Sequence, residues 1–474
     1  MSRLYIDLTT SIRWRRPPVG IVRVEREFAA YCLAHEADTV FCEIDSSGEY
    51  RALTPTRVRE VLDDSWCQSA APQDAVPAPI ASPLTQRGRV QRIADWAAAW
   101  GPKIVPAAAY PLLRDLGRVL VDHHGAFVRN RAAKRAVRAR LVSAQGGAAA
   151  HATPTTAALA NTSIAPTAAD TFFSIGLQWH HGAIHAYNLK RATGVRVVEF
   201  CHDTIPIDLP EYSGSAKQPF AEYFTCLAHT ADLIAANSDS SRNNLHAFYQ
   251  RVGILQEPTL RTVRLASPKV HLAAESQVLR DDEREILEQV SRRKGHVLYV
   301  STFEIRKNHR LLLHLWKEFY VQRGNDCPVL VLVGMFGWGV SDLWAEMQAS
   351  DVFAAGKIVI LHHVSDALLA SLYSSCLFTV FPSFYEGWGL AANESLAYGK
   401  LVITSDAPAL SEATQGLGPA IHPLDYPRWR ETIAYYIDDD NARATAEARI
   451  RATYVPRHWD EFSRDLLGAA RELS

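Results

Sequence analysis

The sequence predicts an α/β protein built from two domains, each with a parallel sheet. Two stretches of the chain alternate short apolar strands with amphipathic helices, which is the pattern of parallel sheets covered by helices. The length of 474 residues is too great for one hydrophobic core. A polar, irregular segment at residues 268–282 separates the two stretches, so we place the domain boundary there.

The elements can be assigned in order along the chain. The first stretch opens with a strand at 4–8, a loop ending in Gly20 and a helix at 21–34. Its further strands are predicted at 39–43, 171–175, 195–201 and 233–236. In the second stretch, strands at 297–301, 329–334, 357–361, 378–381 and 401–404 alternate with helices beginning near Asn308, Asp342, Asp366 and Leu390. The predicted domains are residues 1–275 and 276–455.

Bulk composition excludes several classes of protein. Hydrophobic residues make up 48% and charged residues 21% of the chain, as in ordinary soluble globular proteins. The formal net charge of -1 gives no reason to expect nucleic acid as a partner. The seven cysteines are odd in number and scattered, which argues against a disulfide framework or a zinc site and favours a reducing cytosol.

The hydropathy pattern predicts the location of the protein. The N-terminus lacks the long apolar core of a signal peptide, and the chain has no uninterrupted apolar run of about 18 residues. We therefore expect a cytoplasmic protein that is either soluble or peripheral at the inner face of the inner membrane.

An insert at about residues 60–170 interrupts the first domain. Residues 87–140 carry twelve Lys or Arg against three Asp, a local charge of about +9, with apolar residues interleaved. Residues 143–170 are rich in Ala and Thr and almost uncharged, which predicts a flexible linker or a disordered loop. The basic part is either a helical subdomain with a solvated face or a patch that docks on anionic lipid or on a lipid-pyrophosphate acceptor.

Two glutamates in the second domain flank a glycine-rich turn. Glu386 and Glu394 are separated by seven residues, with Gly387 and Gly389 between them. A predicted helix begins at Leu390, so the glycines lie at a helix N-terminus. Free backbone N–H groups there suit a diphosphate, and the missing Cβ atoms let the ligand approach closely. The two carboxylates can then accept hydroxyl hydrogen bonds from the transferred sugar and from the ribose.

This segment, FPSFYEGWGLAANESLAYGK at residues 381–400, resembles the E-x7-E motif of family-4 retaining glycosyltransferases. That family has the GT-B fold, in which two Rossmann-like domains face one cleft; the first holds the acceptor and the second the nucleotide-sugar. The resemblance implies that Glu386 contacts the donor sugar and Glu394 the ribose. It further implies that backbone groups of Gly389, Leu390 and Ala391 help to hold sugar and phosphate.

Arg306 and Lys307 lie between the first strand of the second domain and the helix that follows it. Two adjacent cations there can neutralise a leaving diphosphate, with Arg forking across two oxygens and Lys acting as a point charge. The segment YVSTFEIRKNH, residues 299–309, resembles the E-x-R-K-N pattern of the same family, in which these two positions bind the donor diphosphate. We therefore expect the two cations to take the electrostatic role of a metal ion, with no metal and no other cofactor.

His202 follows a predicted strand of the first domain, where open α/β sheets place ligand contacts. A lone histidine is more often structural than catalytic. However, VVEFCHDTIPIDLPEYS at residues 197–213 resembles the family's H-D pattern, which implies an active-site residue that contacts either the donor sugar or the acceptor. Asp203 either orients the imidazole or serves as a base on the acceptor side.

Gly20 ends the loop between the first strand and the first helix. It matches the glycine loop that, in the family, approaches the donor phosphates across the cleft. Arg13, Arg15 and Arg16 of the same loop either meet a phosphate of the acceptor lipid or are solvated surface cations.

Two further segments are assigned through the resemblance. Ser365 and Asp366 have the pattern of a helix N-cap and its first turn, and in the family this stretch lies beside the nucleotide base. Residues 454–467 resemble the terminal helix that crosses back to the first domain, so 456–474 are assigned to that helix. Trp459 is expected to be a packing residue.

Other kinds of site are not supported. Neither Asp438–Asp440 nor Asp281–Asp282 follows a strand in the D-x-D manner of metal-dependent transferases, so we interpret both as solvated helix ends or linker. The chain lacks G-x-G-x-x-G, which argues against a dinucleotide-dependent dehydrogenase despite the doubly wound sheets.

The resemblance implies a retaining, metal-independent hexosyltransferase of surface-polysaccharide assembly. HDTIPIDLPEY and EGWGL look like segments of mannosyl- and rhamnosyltransferases of O-antigen (lipopolysaccharide) or capsule assembly. GDP-mannose is therefore the first expected donor, and dTDP-rhamnose, a UDP-sugar or another sugar nucleotide is the second. The expected acceptor is a growing glycan on undecaprenyl diphosphate. A GT-B-like sugar-nucleotide epimerase, a phosphorylase and a non-catalytic binding subunit are the alternatives from other classes.

The expected site is thereby specified residue by residue. The expected catalytic residues are His202, Glu386, Arg306 and Lys307. The expected donor-binding residues are Gly20, Arg306, Lys307, Ser365, Asp366, Glu386, Gly387, Gly389, Leu390, Ala391 and Glu394. The expected acceptor-binding residues are Arg13 and Asp203.

Overall fold

The computed structural model describes residues 2–14, 20–63, 162–177, 182–213, 217–267, 279–292, 294–362 and 364–473. These residues form two sheets covered by helices, and we call the parts of the chain around them the first and the second domain. This confirms the predicted α/β class with its parallel sheets. The basic segment at 87–140 and the domain boundary at 276 lie outside the described residues.

The first sheet belongs to the N-terminal part of the chain. Its described strands are β1 (Leu4–Asp7), β2 (Thr39–Ile44), β3 (Tyr50–Ala52), β4 (Thr171–Ser174), β5 (Arg196–Cys201), β6 (Leu233–Ala236) and β7 (Thr259–Thr262). They lie in the order β3-β2-β1-β4-β5-β6-β7. All neighbours are parallel except the edge strand β3, which pairs antiparallel with β2.

The second sheet is parallel throughout its described strands. These are β8 (His296–Val300), β9 (Val329–Val333), β10 (Ile358–Leu361), β11 (Thr379–Phe381), β12 (Val402–Ser405) and β13 (Ala420–Ile421). They lie in the order β10-β9-β8-β11-β12-β13. The run VLVLV of β9 is buried at every position, as expected for a strand covered on both faces.

Helices connect the strands of both sheets. The described helices are α1 (Thr9–Arg13), α2 (Ile21–His35), α3 (Pro55–Leu62), α4 (Gly182–Thr193), α5 (Ile205–Asp208), α6 (Lys217–Thr230), α7 (Asp239–Val252), α8 (Asp281–Ser291), α9 (His309–Arg323), α10 (Ser341–Gln348), α11 (Asp351–Ala354), α12 (Asp366–Ser375), α13 (Leu390–Ala397), α14 (Pro408–Ala413), α15 (Tyr426–Asp438), α16 (Asp440–Thr453) and α17 (Trp459–Arg471). Short 3₁₀ turns lie at Pro210–Tyr212, Ile305–Lys307 and Gly324–Asp326.

The strand order of each sheet turns back at one point. In the first sheet this occurs between β1 and β4, and in the second between β8 and β11. Ligands of open α/β sheets bind outside the carboxyl ends of the strands at such a switch point, because the connections leave a crevice there. The topology therefore directs attention to the loops after these four strands.

The terminal helix α17 packs on the first domain although it follows the second in sequence. Trp459 and Phe462 lie in the same apolar core as Phe28 and Phe200, and the rings of Phe200 and Phe462 are 5.8 Å apart. Trp459 is only 3% exposed, which is consistent with the packing role expected for it.

One expectation about the insert is corrected. Residues 162–170 were assigned to a flexible linker, yet the backbone N–H of Ile164 donates to the Tyr50 carbonyl at 3.1 Å and that of Ala52 to Thr162 at 2.9 Å. The linker prediction is therefore wrong for these residues, because pairing with β3 supplies hydrogen bonds that composition does not reveal.

None of the helices in the described part of the chain is long and apolar enough to cross a bilayer.

Candidate active site

The two predicted cations and the first glutamate meet at the switch point of the second sheet. Arg306 and Lys307 end the 3₁₀ turn that follows β8, and Glu386 follows β11. The Glu386 carboxylate accepts from Lys307 Nζ at 2.5 Å through one oxygen and from Arg306 Nη1 at 3.0 Å through the other. Arg306 Nε also forms an ion pair with Glu304 Oε2 at 3.0 Å. The structure thus brings the adjacent Arg306 and Lys307 together with Glu386, which follows them by 80 and 79 residues in sequence.

Burial makes this cluster electrostatically strong. The side chains of Arg306 and Lys307 are each 14% exposed and that of Glu386 is 9% exposed. Burial alone would raise the pKa of Glu386, but Lys307 and Arg306 outweigh it and lower the pKa to about 2. Burial and the neighbouring Arg306 lower the pKa of Lys307. The carboxylate is therefore ionised at neutral pH and neutralises cations that a diphosphate could also engage.

Two residues that had no predicted role in the site, Asn308 and Tyr299, hold the cationic turn in place. Asn308 has a left-handed φ of +56°, and its side-chain amide donates to the carbonyls of Pro382 at 3.2 Å and Pro423 at 3.1 Å. The Tyr299 hydroxyl donates to the Lys307 carbonyl at 2.8 Å. Asparagine tolerates the left-handed region better than most residues, so the Asn after Arg-Lys was a usable signal.

The glycine-rich turn leads into the N-terminus of α13 as expected. Gly389 precedes Leu390 with a φ of +113°, and a Cβ at Gly389 would lie 2.6 Å from Leu410 Cδ2. Because the N-cap residue is Gly389, it has no side chain to cap the first turn, which contains Leu390 and Ala391. The first N–H groups of a helix have no partner within the helix, and its dipole favours an anion there.

The second glutamate belongs to a separate group of charges. Burial raises the pKa of Glu394, Arg23 of α2 opposes that rise, and Asp366 adds to it. Ser365 caps α12, with its hydroxyl accepting from the Leu368 N–H at 3.1 Å, which confirms the N-cap pattern. The structure therefore associates Glu394 with the start of α12 and with the first domain, whereas its described contacts do not include Arg306 or Lys307.

His202 lies at the carboxyl end of β5 and is buried. Its Nε2 is 2.8 Å from the Ile175 carbonyl, which can only accept, so Nε2 carries the proton and Nδ1 is left as an acceptor. Burial lowers the pKa of His202 to about 4, which keeps the ring neutral at neutral pH. The Asp203 carboxylate accepts from the Ile205 N–H at 3.0 Å. Burial raises the pKa of Asp203, and Arg306 acts against that rise.

The remaining predicted residues lie on the loop after β1 and at its end. Gly20 has a φ of +50°, and a Cβ there would meet nothing within 4 Å, so conformation rather than space favours glycine. Arg13 is exposed at the end of α1, where Nη2 donates to the Ile44 carbonyl at 3.2 Å. Arg15 and Arg16 lie outside the described residues. Within the described ranges, no group of three or more His, Cys, Asp or Glu side chains is placed to hold a metal ion.

Comparison with known sequences identifies related proteins. Residues 281–452 match the family model Glycosyl transferases group 1. The chain is 28% identical over 283 residues to O-antigen chain mannosyltransferase B of Escherichia coli, covering 59% of this chain and 71% of that protein. It is 28% identical over 233 residues to the E. coli serotype-specific mannosyltransferase WbdA, covering 48% of this chain but only 28% of that much longer protein. O-antigen chain mannosyltransferase RfbU of Salmonella typhimurium is 34% identical over 119 residues, 25% of this chain and 31% of that protein.

Solved structures establish the fold. A structure described as trehalose-6-phosphate from E. coli bound with UDP-2-fluoro glucose matches with a TM-score of 0.51 at 12% identity, covering 64% of this chain and 73% of that chain. A UDP-forming α,α-trehalose-phosphate synthase from Burkholderia xenovorans gives a TM-score of 0.51 at 14% identity, with the same coverage. At such low identity the likeness shows the fold alone, and the fold is GT-B.

Proposed function

We propose that this chain, a glycosyltransferase whose residues 281–452 match the family model Glycosyl transferases group 1, moves mannose from GDP-mannose to a glycan acceptor with retention of anomeric configuration. The observation that carries the proposal is the buried contact of Arg306 and Lys307 with Glu386 at the switch point of the second sheet. The mannosyltransferase relatives support the choice of sugar.

The donor would lie across the carboxyl ends of β8 and β11. Arg306 and Lys307 would pair with its diphosphate, and the N-terminus of α13 would add backbone N–H groups. Glu386 would then exchange part of its contact with the cations for a hydroxyl of the sugar. Glu394 would accept from the ribose, with Ser365 and Asp366 beside the base.

The chemistry would depend on charge stabilisation more than on acid–base groups. As the bond between the sugar C1 and the diphosphate oxygen breaks, negative charge grows on the diphosphate, where preorganised cations stabilise it most. The acceptor hydroxyl would bond to C1 from the same face and give its proton to the departing diphosphate. The neutral imidazole of His202 would contact a substrate hydroxyl through Nδ1. In this scheme the two cations take the place of a metal ion.

The acceptor and the place of action follow from the same relatives. Three of them are named for O-antigen or serotype-specific mannosyl transfer, so we propose a growing surface polysaccharide on a lipid diphosphate at the cytoplasmic face of the inner membrane. The basic segment at 87–140 and Arg13 would meet that acceptor, with Asp203 on the acceptor side. Rhamnosyl or other hexosyl transfer from a dTDP- or UDP-sugar is the competing proposal, because the motifs do not specify the base.

A donor panel tests the proposal. GDP-mannose, dTDP-rhamnose and UDP-glucose are each incubated with a lipid-linked mannoside, with and without EDTA, and the product is examined by NMR. We expect transfer from GDP-mannose, an α-linked product from the α-linked donor, and no effect of EDTA. A β-linked product, inhibition by EDTA, or isomerisation of the sugar nucleotide would contradict the respective part of the proposal.

Two variants connect the assay to the site. Arg306→Ala and Lys307→Ala should each lower transfer by about 100-fold or more, as loss of a preorganised charge contact does. Arg430→Ala, an exposed cation on α15, is the matched control and should transfer normally. Normal transfer by both site variants would show that the charges do not act on the donor.

A further inference from the structure

Tyr385, the residue before Glu386, reaches into the first domain. The Tyr385 hydroxyl lies 3.2 Å from Thr204 Oγ1 and 3.4 Å from Asp208 Oδ2, and it accepts from the side-chain amide of Asn244. Burial raises the pKa of Tyr385 above its ordinary value, so the hydroxyl keeps its proton at neutral pH. A residue of the second domain thus enters a polar cluster formed by three residues of the first.

A second contact holds the chain on the other side of the same glutamate. The Gly387 carbonyl accepts from the hydroxyls of Ser238 at 2.8 Å and Ser241 at 3.2 Å, both at the start of α7. A Cβ on Gly387 would lie 2.1 Å from the His202 carbonyl, so only glycine allows this approach.

These contacts place Glu386 between two attachments to the first domain. The residue before it is held through its hydroxyl and the residue after it through its carbonyl, while its own carboxylate is held by Lys307 and Arg306. Arg306 Nη1 also donates to the Tyr385 carbonyl at 3.0 Å. The direction of the Glu386 side chain is therefore set by both domains together.

We propose that Tyr385 is a positioning residue that fixes Glu386 for sugar transfer when the first domain is docked against the second. The inference rests on the proposed function, in which Glu386 contacts the donor sugar. Tyr385 touches no reacting atom and acts through its neighbour. Diphosphate binding, which uses Arg306, Lys307 and the start of α13, does not depend on the Tyr385 hydroxyl.

The test separates positioning from simple stabilisation. Tyr385→Phe keeps the ring and removes the hydroxyl, and Asn244→Ala removes a partner from the other domain. Each should lower kcat for transfer about tenfold, as expected when a buried hydrogen-bonded group loses its partner, while the Kd for GDP changes less than about twofold. The double variant should be no slower than the slower single variant, since both remove one interaction. Tyr435→Phe, an exposed tyrosine on α15, is the control.

Several results would overturn the inference. If Tyr385→Phe kept a kcat within about twofold of wild type, with or without a lower Tm, the contact would serve packing alone. The same conclusion would follow if the double variant lost kcat by the product of the two single losses. A wild-type enzyme that uses no sugar nucleotide would refute the proposed function instead. In that case hydrogen exchange decides: Tyr385→Phe should speed amide exchange at 384–388 and at 204–208, and unchanged exchange in both segments would refute the contact itself.

Discussion

Replacing Glu386 with glutamine is predicted to tighten the binding of GDP while it slows sugar transfer. In the structure, the Glu386 carboxylate accepts hydrogen bonds from both cations, at 2.5 Å from Lys307 Nζ and at 3.0 Å from Arg306 Nη1. A diphosphate that approaches Arg306 and Lys307 must share them with this carboxylate. Glutamine keeps the shape of the side chain but removes its charge, so the cations become fully available to the diphosphate.

The size of the effect follows from the electrostatics of the site. Burial raises the pKa of Glu386, but Lys307 and Arg306 outweigh it and bring the pKa from 4.5 to about 2. This net shift corresponds to about 3 kcal/mol at about 1.36 kcal/mol per unit of pKa. If the diphosphate takes over one of the two contacts, about half of that energy is lost from the wild-type complex. The glutamine variant escapes this loss and should bind GDP roughly tenfold more tightly.

Titration calorimetry with GDP measures the change directly, and transfer is measured in parallel. Glu431→Gln, an exposed carboxylate on α15, is the matched control and should bind GDP as wild type does. Transfer by Glu386→Gln should fall by about 100-fold, because the sugar loses a charged hydrogen-bond acceptor positioned for it. Equal or weaker GDP binding by Glu386→Gln would refute the idea that the carboxylate competes with the diphosphate.

Three further predictions concern stability and packing. Burial raises the pKa of Glu25 from 4.5 to about 8, so between these values the folded protein holds a proton that the unfolded chain has released. The wild-type protein therefore loses stability as pH rises through that range. Between about pH 5 and about pH 8, the free energy of unfolding of Glu25→Gln, measured in urea, should rise by about 4 kcal/mol relative to that of wild type. Gly387→Ala would place a methyl 2.1 Å from the His202 carbonyl and should lower both transfer and the free energy of unfolding, the latter by about 1–3 kcal/mol; wild-type behaviour would show that the two domains are not in contact there. Ser365→Ala removes the cap of α12 and should lower the free energy of unfolding by about 1 kcal/mol, whereas Ser365→Thr, which keeps the hydroxyl, should not.

The elements with strong apolar patterns were predictable from sequence, whereas the edge strands β3, β7 and β13 were not. The predicted strand at 329–334 is observed as Val329–Val333, and the helices predicted at Asp366 and Leu390 begin at those residues. The strand Tyr50–Ala52 was missed because three residues carry no periodic pattern, and it forms by pairing with β2. Edge strands of this kind depend on neighbours that are distant in sequence.

The site likewise contains residues that were predictable from sequence and residues that were not. Arg306, Lys307 and Glu386 were predictable as a set because each lies in a recognisable segment, and the structure brings all three into contact. The partners of Tyr385 could not be predicted, since Thr204 and Asn244 lie 181 and 141 residues away and no sequence pattern pairs them with Tyr385. Only the docking of the two domains brings these hydroxyl and amide groups together.

The most direct test of the central claim compares GDP with GMP. If Arg306 and Lys307 hold the diphosphate, wild-type protein should bind GDP at least about tenfold more tightly than GMP, since the second phosphate adds a charge-assisted contact. Lys307→Ala should remove most of that difference and leave GMP binding nearly unchanged. Equal affinities for the two nucleotides in wild type, or an unchanged ratio in Lys307→Ala, would contradict the account.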